Sequence, residues 1–324
     1  MPTIVRPHGR ATNLLVKKQA DFDTPATGDY VSTLFYSESL AETEGKVDDP
    51  VLGVARINNR DQSEKAPDLR KHEGGLTVPM DVNHLGLWLT GLFGDPTSTG
   101  AGPYSHVFKS GAESLPYLTL EFEKRAGAVF FQHVGVLLSQ LSLSASREGG
   151  YKQVELQAMG RNENKLAASG GGSPATQMDR VPMPNFNGAL KVDTVEVGSV
   201  TAVSFNYNNN PTANDEINGT KYSSGYDLTE TATCDGDLTV RYVDESFYDK
   251  AEAGTAHSME LIFQISATSS LSFLMPAVRF EKGPIAPIAG PGGMQASVSW
   301  YAEQTGSDPM VTATLKNEIE SYAL

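Results

Sequence analysis

Six histidines, one cysteine and an excess of carboxylates are the groups with chemistry to offer, and their spacing limits what each could do. His8, His72, His84, His106, His133 and His257 are scattered, with no HExxH or His-x-His pair, so no hydrolytic metal centre is expected. Cys234 stands between Thr233 and Asp235 with no neighbouring base, and a carboxylate beside a thiol disfavours the thiolate, so it reads as structural filler. A single cysteine also rules out a disulfide framework or a multi-cysteine cluster within one chain. Gly45-Lys46-Val47 lacks the upstream glycine and the following Ser or Thr of a phosphate loop. Gly100-Ala101-Gly102 lacks the third glycine of a dinucleotide fingerprint, and no Gly-x-Ser-x-Gly elbow occurs. Asn214-Asp215-Glu216-Ile217-Asn218-Gly219 gathers oxygen ligands suited to calcium but has no bidentate carboxylate at the required distance, so a solvated acidic loop is expected. The sequence therefore predicts no catalytic residues, no metal ligands and no cofactor.

Charge says more. Thirty-nine Asp and Glu against 25 Lys and Arg leave a formal charge of −14, which argues against a surface that grips DNA or an anionic membrane. Between Asn206 and Glu260, 11 acidic residues face only Lys221, Arg241 and Lys250. That imbalance reads as a face that repels polyanions. The longest apolar run of the first 19 residues is Leu14-Leu15-Val16, short of a signal peptide's ~7 to 15. Elsewhere apolar stretches fall well below the ~18 residues of a spanning helix, so no membrane partner is expected.

The elements that must carry these groups are mostly strands. Leu118, Leu120 and Phe122 alternate with polar residues; so do Leu141, Leu143 and Ala145, then Val154, Leu156 and Ala158. The last two runs read as a hairpin turning at Arg147-Glu148-Gly149-Gly150. Met259 to Ile265, Ala296 to Trp300 and Val311 to Leu315 continue the pattern. Period 3.6 enters once with force: Val82, Leu85, Leu89, Leu92 and Phe93 predict an amphipathic helix over 81–93 packed on a sheet, with Asp81 as N-cap and Gly94 as the stop. Glu245 to Ala253 predicts a weaker helix ending at Gly254.

A weak internal repeat organises the chain. Gly75-Leu76-Thr77-Val78 before the first helix matches Asp237-Leu238-Thr239-Val240 before the second. Val154 to Ala158 is matched to Val311 to Leu315 as the closing strand, and Leu141 to Ser146 to Ala296 to Tyr301. The expected fold is mainly β: two tandem β-sandwich or partial-barrel units, each flanked by a short α-helix. The first covers 1–166 with a long loop over 38–73, a Gly/Ser-rich linker covers 167–182, and the second unit covers 183–324.

In this order the elements resemble the tail tube (major tail) proteins of long-tailed bacteriophages. The likeness rests on Gly9-Arg10 to Leu15, on Tyr30 to Leu40 before a long acidic loop, and on Gly74-Gly75-Leu76-Thr77-Val78 leading to a helix that ends at Phe93-Gly94. It continues in Tyr104 to Phe108, Ser114-Leu115-Pro116, Phe186 to Asp193, Asn208 to Asn210 and Val311 to Asn317. The resemblance implies a non-enzymatic virion protein whose subunits continue one another's sheets into stacked rings, forming the conduit for genome ejection. If the repeat holds, it implies three copies per ring with pseudo-sixfold symmetry, the alternative being hexamers. The implied partners are further copies, the tape measure, tail terminator and distal tail proteins, and double-stranded DNA in transit. The implied location is the virion tail, after synthesis and assembly in the bacterial host cytoplasm. Asp227, Glu230, Asp235 and Asp237 are the expected lumen residues; Glu42, Glu44, Asp48, Asp49, Arg56 and Arg60 of the long loop are expected to reach an adjacent ring. Two other classes stay open: a carbohydrate-binding or carbohydrate-cleaving β-sandwich, disfavoured because Trp88 and Trp300 lie in apolar patterns that bury them, and another virion component such as a head decoration or adhesin.

Overall fold

Strands form wherever apolar and polar residues alternate, because that period places one face of each strand in a core and the other in water. The computed structural model describes residues 8–49, 64–125, 129–171, 175–283, 286, 288 and 291–322. The first half supplies β1 (Leu14–Lys18), β2 (Val31–Thr33), β3 (Ser37–Glu38), β4 (Ala41–Asp48), β5 (Lys65–Pro79) and α1 (Leu85–Phe93). These are followed by β6 (Thr97–Thr99), β7 (Tyr104–Lys109), β8 (Leu118–Arg125), β9 (Val129–Ser146), β10 (Gln153–Met159) and β11 (Asn162–Leu166). A connection carrying β12 (Thr176–Gln177) leads to β13 (Gly188–Val192), β14 (Val195–Glu196), β15 (Val200–Asn208), β16 (Thr212–Ala213), β17 (Tyr226–Asp227) and β18 (Thr233–Arg241). The chain closes with α2 (Ser246–Ala253), β19 (His257–Ser266), β20 (Ser269–Phe280), β21 (Gln295–Glu303) and β22 (Thr312–Asn317). The fold is mainly β and sandwich-like, with large antiparallel sheets.

The two halves share one connectivity. β1 pairs with β2 and β8, as β13 pairs with β14 and β19. β8 pairs with β9, as β19 pairs with β20. β10 and β11 lie along β9, as β21 and β22 lie along β20. β10 then pairs with β5 and β5 with β3, as β21 pairs with β18 and β18 with β15. Each helix follows the strand that carries the Leu-Thr-Val match. That match therefore holds, but two others are corrected: the counterpart of Val154 to Ala158 is β21 rather than 311–315, and the counterpart of Leu141 to Ser146 lies at the end of β20 rather than at 296–301. Alternation alone matches any half-buried strand to any other, so only pairing could distinguish them.

β9 and β20 each turn a corner between sheets. The first half of β9 joins β8 and β11, and its second half joins β10 and β15. Gly135 sits at the change of partner with φ 66°, a conformation that costs glycine nothing. In β20 the partner changes from β22 to β21 across Pro276, which has no N–H to give a ladder.

Three further expectations are revised. The 38–73 stretch is a hairpin of β4 and β5 rather than a loop, although its turn lies outside the described residues. The helix starts at Leu85, since Asp81 Oδ1 accepts from the N–H groups of Asn83 and His84 at 3.0 and 3.1 Å in a turn before it. α1 is also buried on every side rather than amphipathic, because Tyr322 lies against Gly86 over the face that the sequence pattern leaves outward. Val82, Leu85, Leu89, Leu92 and Phe93 are all buried.

The Gly/Ser-rich stretch after β11 is tied to the body. Glu121, fully buried on β8, accepts from the Ser169 hydroxyl and from the Gly170 N–H at 2.8 Å, and β12 pairs in parallel with β2. Glu121→Ala strands both donors and is expected to cost roughly 2 kcal/mol. Protease cleavage near Ser169 that appears only in the variant is the check.

Candidate functional site

Ladder pairing places side chains that face each other across strands on the same side of a sheet. Following one row from the first half into the second gives Ser37, Thr77, Glu155, Ser142, Asn206, Asp235, Tyr301 and Arg279, each paired with the next. A second row runs Gly75, Gln157, Gln140, Asn208 and Thr233. On its other flank Ser204 Oγ accepts from the Asp237 N–H, and the Ser299 hydroxyl donates to Asp237 Oδ1, both at 2.8 Å. Within these rows there is no lysine, and Arg279 is neutralised by Glu303 at 2.8 Å. The result is a continuous hydroxyl, amide and carboxylate surface spanning both halves.

The opposite side of the same strands is core. Leu76, Leu156, Leu141, Tyr207 and Cys234 form the row behind, none more than 2 % exposed. α1 presses on it: Phe93 and Tyr207 have ring centroids 4.6 Å apart, and Asn209 Nδ2 donates to Leu92 O at 2.9 Å. The polar face is thus held stiffly by an apolar layer and a buried helix.

Of the acidic residues expected at a lumen, Asp235 and Asp237 lie on this face. Asp227 lies apart, paired with Thr212 in the separate β16–β17 sheet, and Glu230 is exposed in the connection to β18. The correspondence of β5 with β18 adds Glu73, which occupies the position of Asp235. The signal was present in the sequence, since Glu73-Gly74 precedes the first Leu-Thr-Val as Asp235-Gly236 stands before the second.

Of the residues expected to reach a neighbouring ring, Glu42, Glu44 and Asp48 have partners within the chain. Arg70 on β5 binds Glu42 and, at 2.8 Å, Glu44, and its guanidinium lies 5.1 Å from the Tyr222 ring centroid. Lys221 Nζ is 2.6 Å from Glu44 Oε1. The hydrogen bonds from Lys221 and then Arg70 hold the Glu44 carboxyl down to about 2. Asp48 pairs with Lys65 at 3.2 Å and Asp49 follows it at the strand end; Arg56 and Arg60 lie outside the described residues. Antiparallel pairing sets the carboxylates of β4 beside the cations of β5, a juxtaposition that charge counts along the chain do not reveal.

In the 214–219 loop Glu216 Oε2 accepts from Ser224 and Asn218 Oδ1 from the Thr220 N–H. Among the described residues no group of three or more His, Cys, Asp or Glu is placed to hold a metal. Trp88 and Trp300 are 0 % and 2 % exposed, so neither offers a sugar-stacking platform.

A family model described as phage tail tube protein matches residues 9–302. No curated protein matches the chain. Among solved structures, the toluene transporter TodX of Pseudomonas putida aligns at 9 % identity over 94 % of this chain and 86 % of that one, with a TM-score of 0.12, a likeness that carries no argument.

Proposed function

Because the chain belongs to the phage tail tube protein family, we propose that its polar sheet face lines the bore of rings that stack into the tail tube and carry the genome during ejection. It is a structural protein of the virion tail that assembles with copies of itself and with other tail proteins. The observation that carries the finer reading is the uninterrupted polar row from Ser37 to Arg279, backed by core from β5 onward. DNA must slide through such a passage, and a wall on which Glu73, Glu155, Asp235 and Asp237 outnumber Lys71, the residue opposite Thr43 on the same side, gives phosphates little counterion-releasing grip.

The shared connectivity supports two tandem units, 1–166 and 183–324 joined by 167–182, and hence rings of three copies with pseudo-sixfold symmetry. In such a ring Glu73 and Asp235 alternate around one level of the bore. The β4–β5 hairpin, stiffened by Arg70, reaches toward the adjacent ring, and the tape measure, terminator and distal tail proteins meet the tube along its bore or at its ends. Assembly takes place in the host cytoplasm.

Lysine at Glu73, Asp235 and Asp237 tests the bore. Variant tubes are expected to retain linear double-stranded DNA at low salt and to release it as salt rises, with a log–log slope of about −0.9 per phosphate contacted, while wild-type tubes retain none. Wild-type tubes that hold DNA, or lysine tubes that never do, would overturn the assignment.

A further inference from the structure

The in-chain junction between the two halves is a template for the junction between chains. Within the chain, the end of β9 adds antiparallel to β15, with Ser142 opposite Asn206 and Gln140 opposite Asn208. β9 is the last strand of the first half's run β3–β5–β10–β9, and β15 opens the second half's run β15–β18–β21–β20. The corresponding last strand of the second half is the end of β20, running on into Glu281, whose N–H donates to Ser299 O at 2.8 Å on the β21 side. Its other edge pairs with β19 only as far as Val278 opposite His257, and from Arg279 to Gly283 that edge has no ladder partner among the described residues. At the far end of the sheet, β3 and the start of β4 have no ladder partner but β5 among the described residues, which leaves the edge from Ser37 to Glu44 open. One continuous sheet thus has two open ends, and an open strand edge is an invitation to pair.

We infer that residues 280–283 of one copy add antiparallel to residues 41–44 on the open edge of the next copy. This rests on the ring reading above and names the surfaces that close it. The in-chain pairing fixes the register. Asn206 lies opposite Asp235 as Ala41 lies opposite Glu73, and the ladder of β20 with β21 carries Gly283 to the position that Ser142 holds beside β10. Gly283 therefore faces Ala41 of the next copy, and Glu281 faces its Thr43. Both pairs lie on the polar side, so the lining runs unbroken from copy to copy. A repeated close approach supports the equivalence of the two receiving edges: a Cβ at Gly74 would overlap Ser39 O, and one at Gly236 would overlap Ser204 O, the serines lying at corresponding positions on β3–β4 and β15.

Directly opposed residues of an antiparallel pair have Cα atoms about 4.5–5.5 Å apart, within the Cα separation that a disulfide spans. Cys234 is buried and so contributes little background. Tubes assembled from the Ala41→Cys/Gly283→Cys variant and then oxidised are expected to shift from monomer to a covalently closed trimer on a non-reducing gel. Ala41→Cys/Arg279→Cys, out of register by four residues, is expected to stay monomeric. Thr43→Cys/Glu281→Cys repeats the test in case the glycine replacement prevents folding. Tubes in which neither in-register pair links, or in which the out-of-register pair links as well, overturn the junction and leave the ring reading standing. Tail particles whose rings do not close from this chain overturn the ring reading and the junction with it.

Discussion

Replacing Gly236 by alanine is expected to lower folding stability by roughly 3 kcal/mol, the upper range for a methyl forced into a packed site. The added Cβ would overlap the backbone carbonyl of Ser204 and press on the Trp300 indole, 2.8 Å away. A flexible side chain could swing aside, but a carbonyl in the middle of a sheet moves only with its strand. That strand, β15, is also paired to β9 at the joint between the halves. Domains of ordinary stability hold 5–15 kcal/mol in total, so the urea midpoint should fall sharply with little change in slope. Gly74→Ala, at the equivalent place against Ser39 O and the Leu40 Cα, should behave alike. A loss well under about 1 kcal/mol at both sites would show that the strands do not approach this closely.

The equivalence of those two glycines illustrates what the sequence could and could not disclose. Leu76-Thr77-Val78 and Leu238-Thr239-Val240 were readable as a repeat because a buried–polar–buried triplet ahead of a helix is uncommon enough to align. Extending that match back to Glu73-Gly74 and Asp235-Gly236 would have found the second acidic position. Strands farther along offered only alternation, and Leu141 to Ser146 resembles Ala296 to Tyr301 in serine content while the pairing assigns them different places.

Misreadings elsewhere had a common physical origin, namely partners far away in the chain. The β4–β5 hairpin looked like a loop because its charges do not alternate with apolar residues; they are satisfied across the ladder and by Lys221 and Tyr222. α1 reads as amphipathic because nothing nearby in sequence announces Tyr322 as its cover, and the glycine-rich stretch reads as a linker because its anchor, Glu121, is far away in the chain. Alternation gave no hint of it, since Glu121 falls on the polar face opposite Leu118, Leu120 and Phe122; the structure buries it because it is hydrogen-bonded there.

Acidification from pH 7 to pH 4.5 is expected to cost the fold about 5 kcal/mol through His72 and His133. The two imidazoles, on β5 and β9, are 3 % and 1 % exposed, joined by a 2.8 Å hydrogen bond from Nε2 of one to Nδ1 of the other, with ring centroids 5.0 Å apart. One proton serves that bond, so both rings cannot be imidazolium at once, and His72 Nδ1 and His133 Nε2 have no partner to help them carry charge. Burial pushes His72 down to about 4; burial, His72 and the Lys124 ammonium together push His133 down to about 3. In the unfolded chain both titrate near 6.5. Folded-state values below unfolded ones mean that this stability is fully present above about pH 6.5 and is lost as pH falls toward the folded values, by about 1.4 kcal/mol per unit for each ring. Glu163, 3.8 Å from His133 Nδ1 and raised by burial, works in the opposite sense and offsets part of the slope. The double variant His72→Gln/His133→Gln keeps a donor and an acceptor in place without a titrating ring, so its urea midpoint should change little between pH 7 and pH 4.5 while that of the wild-type chain drops steeply. Equal slopes in the two proteins would move the acid lability to the carboxylates and away from this pair.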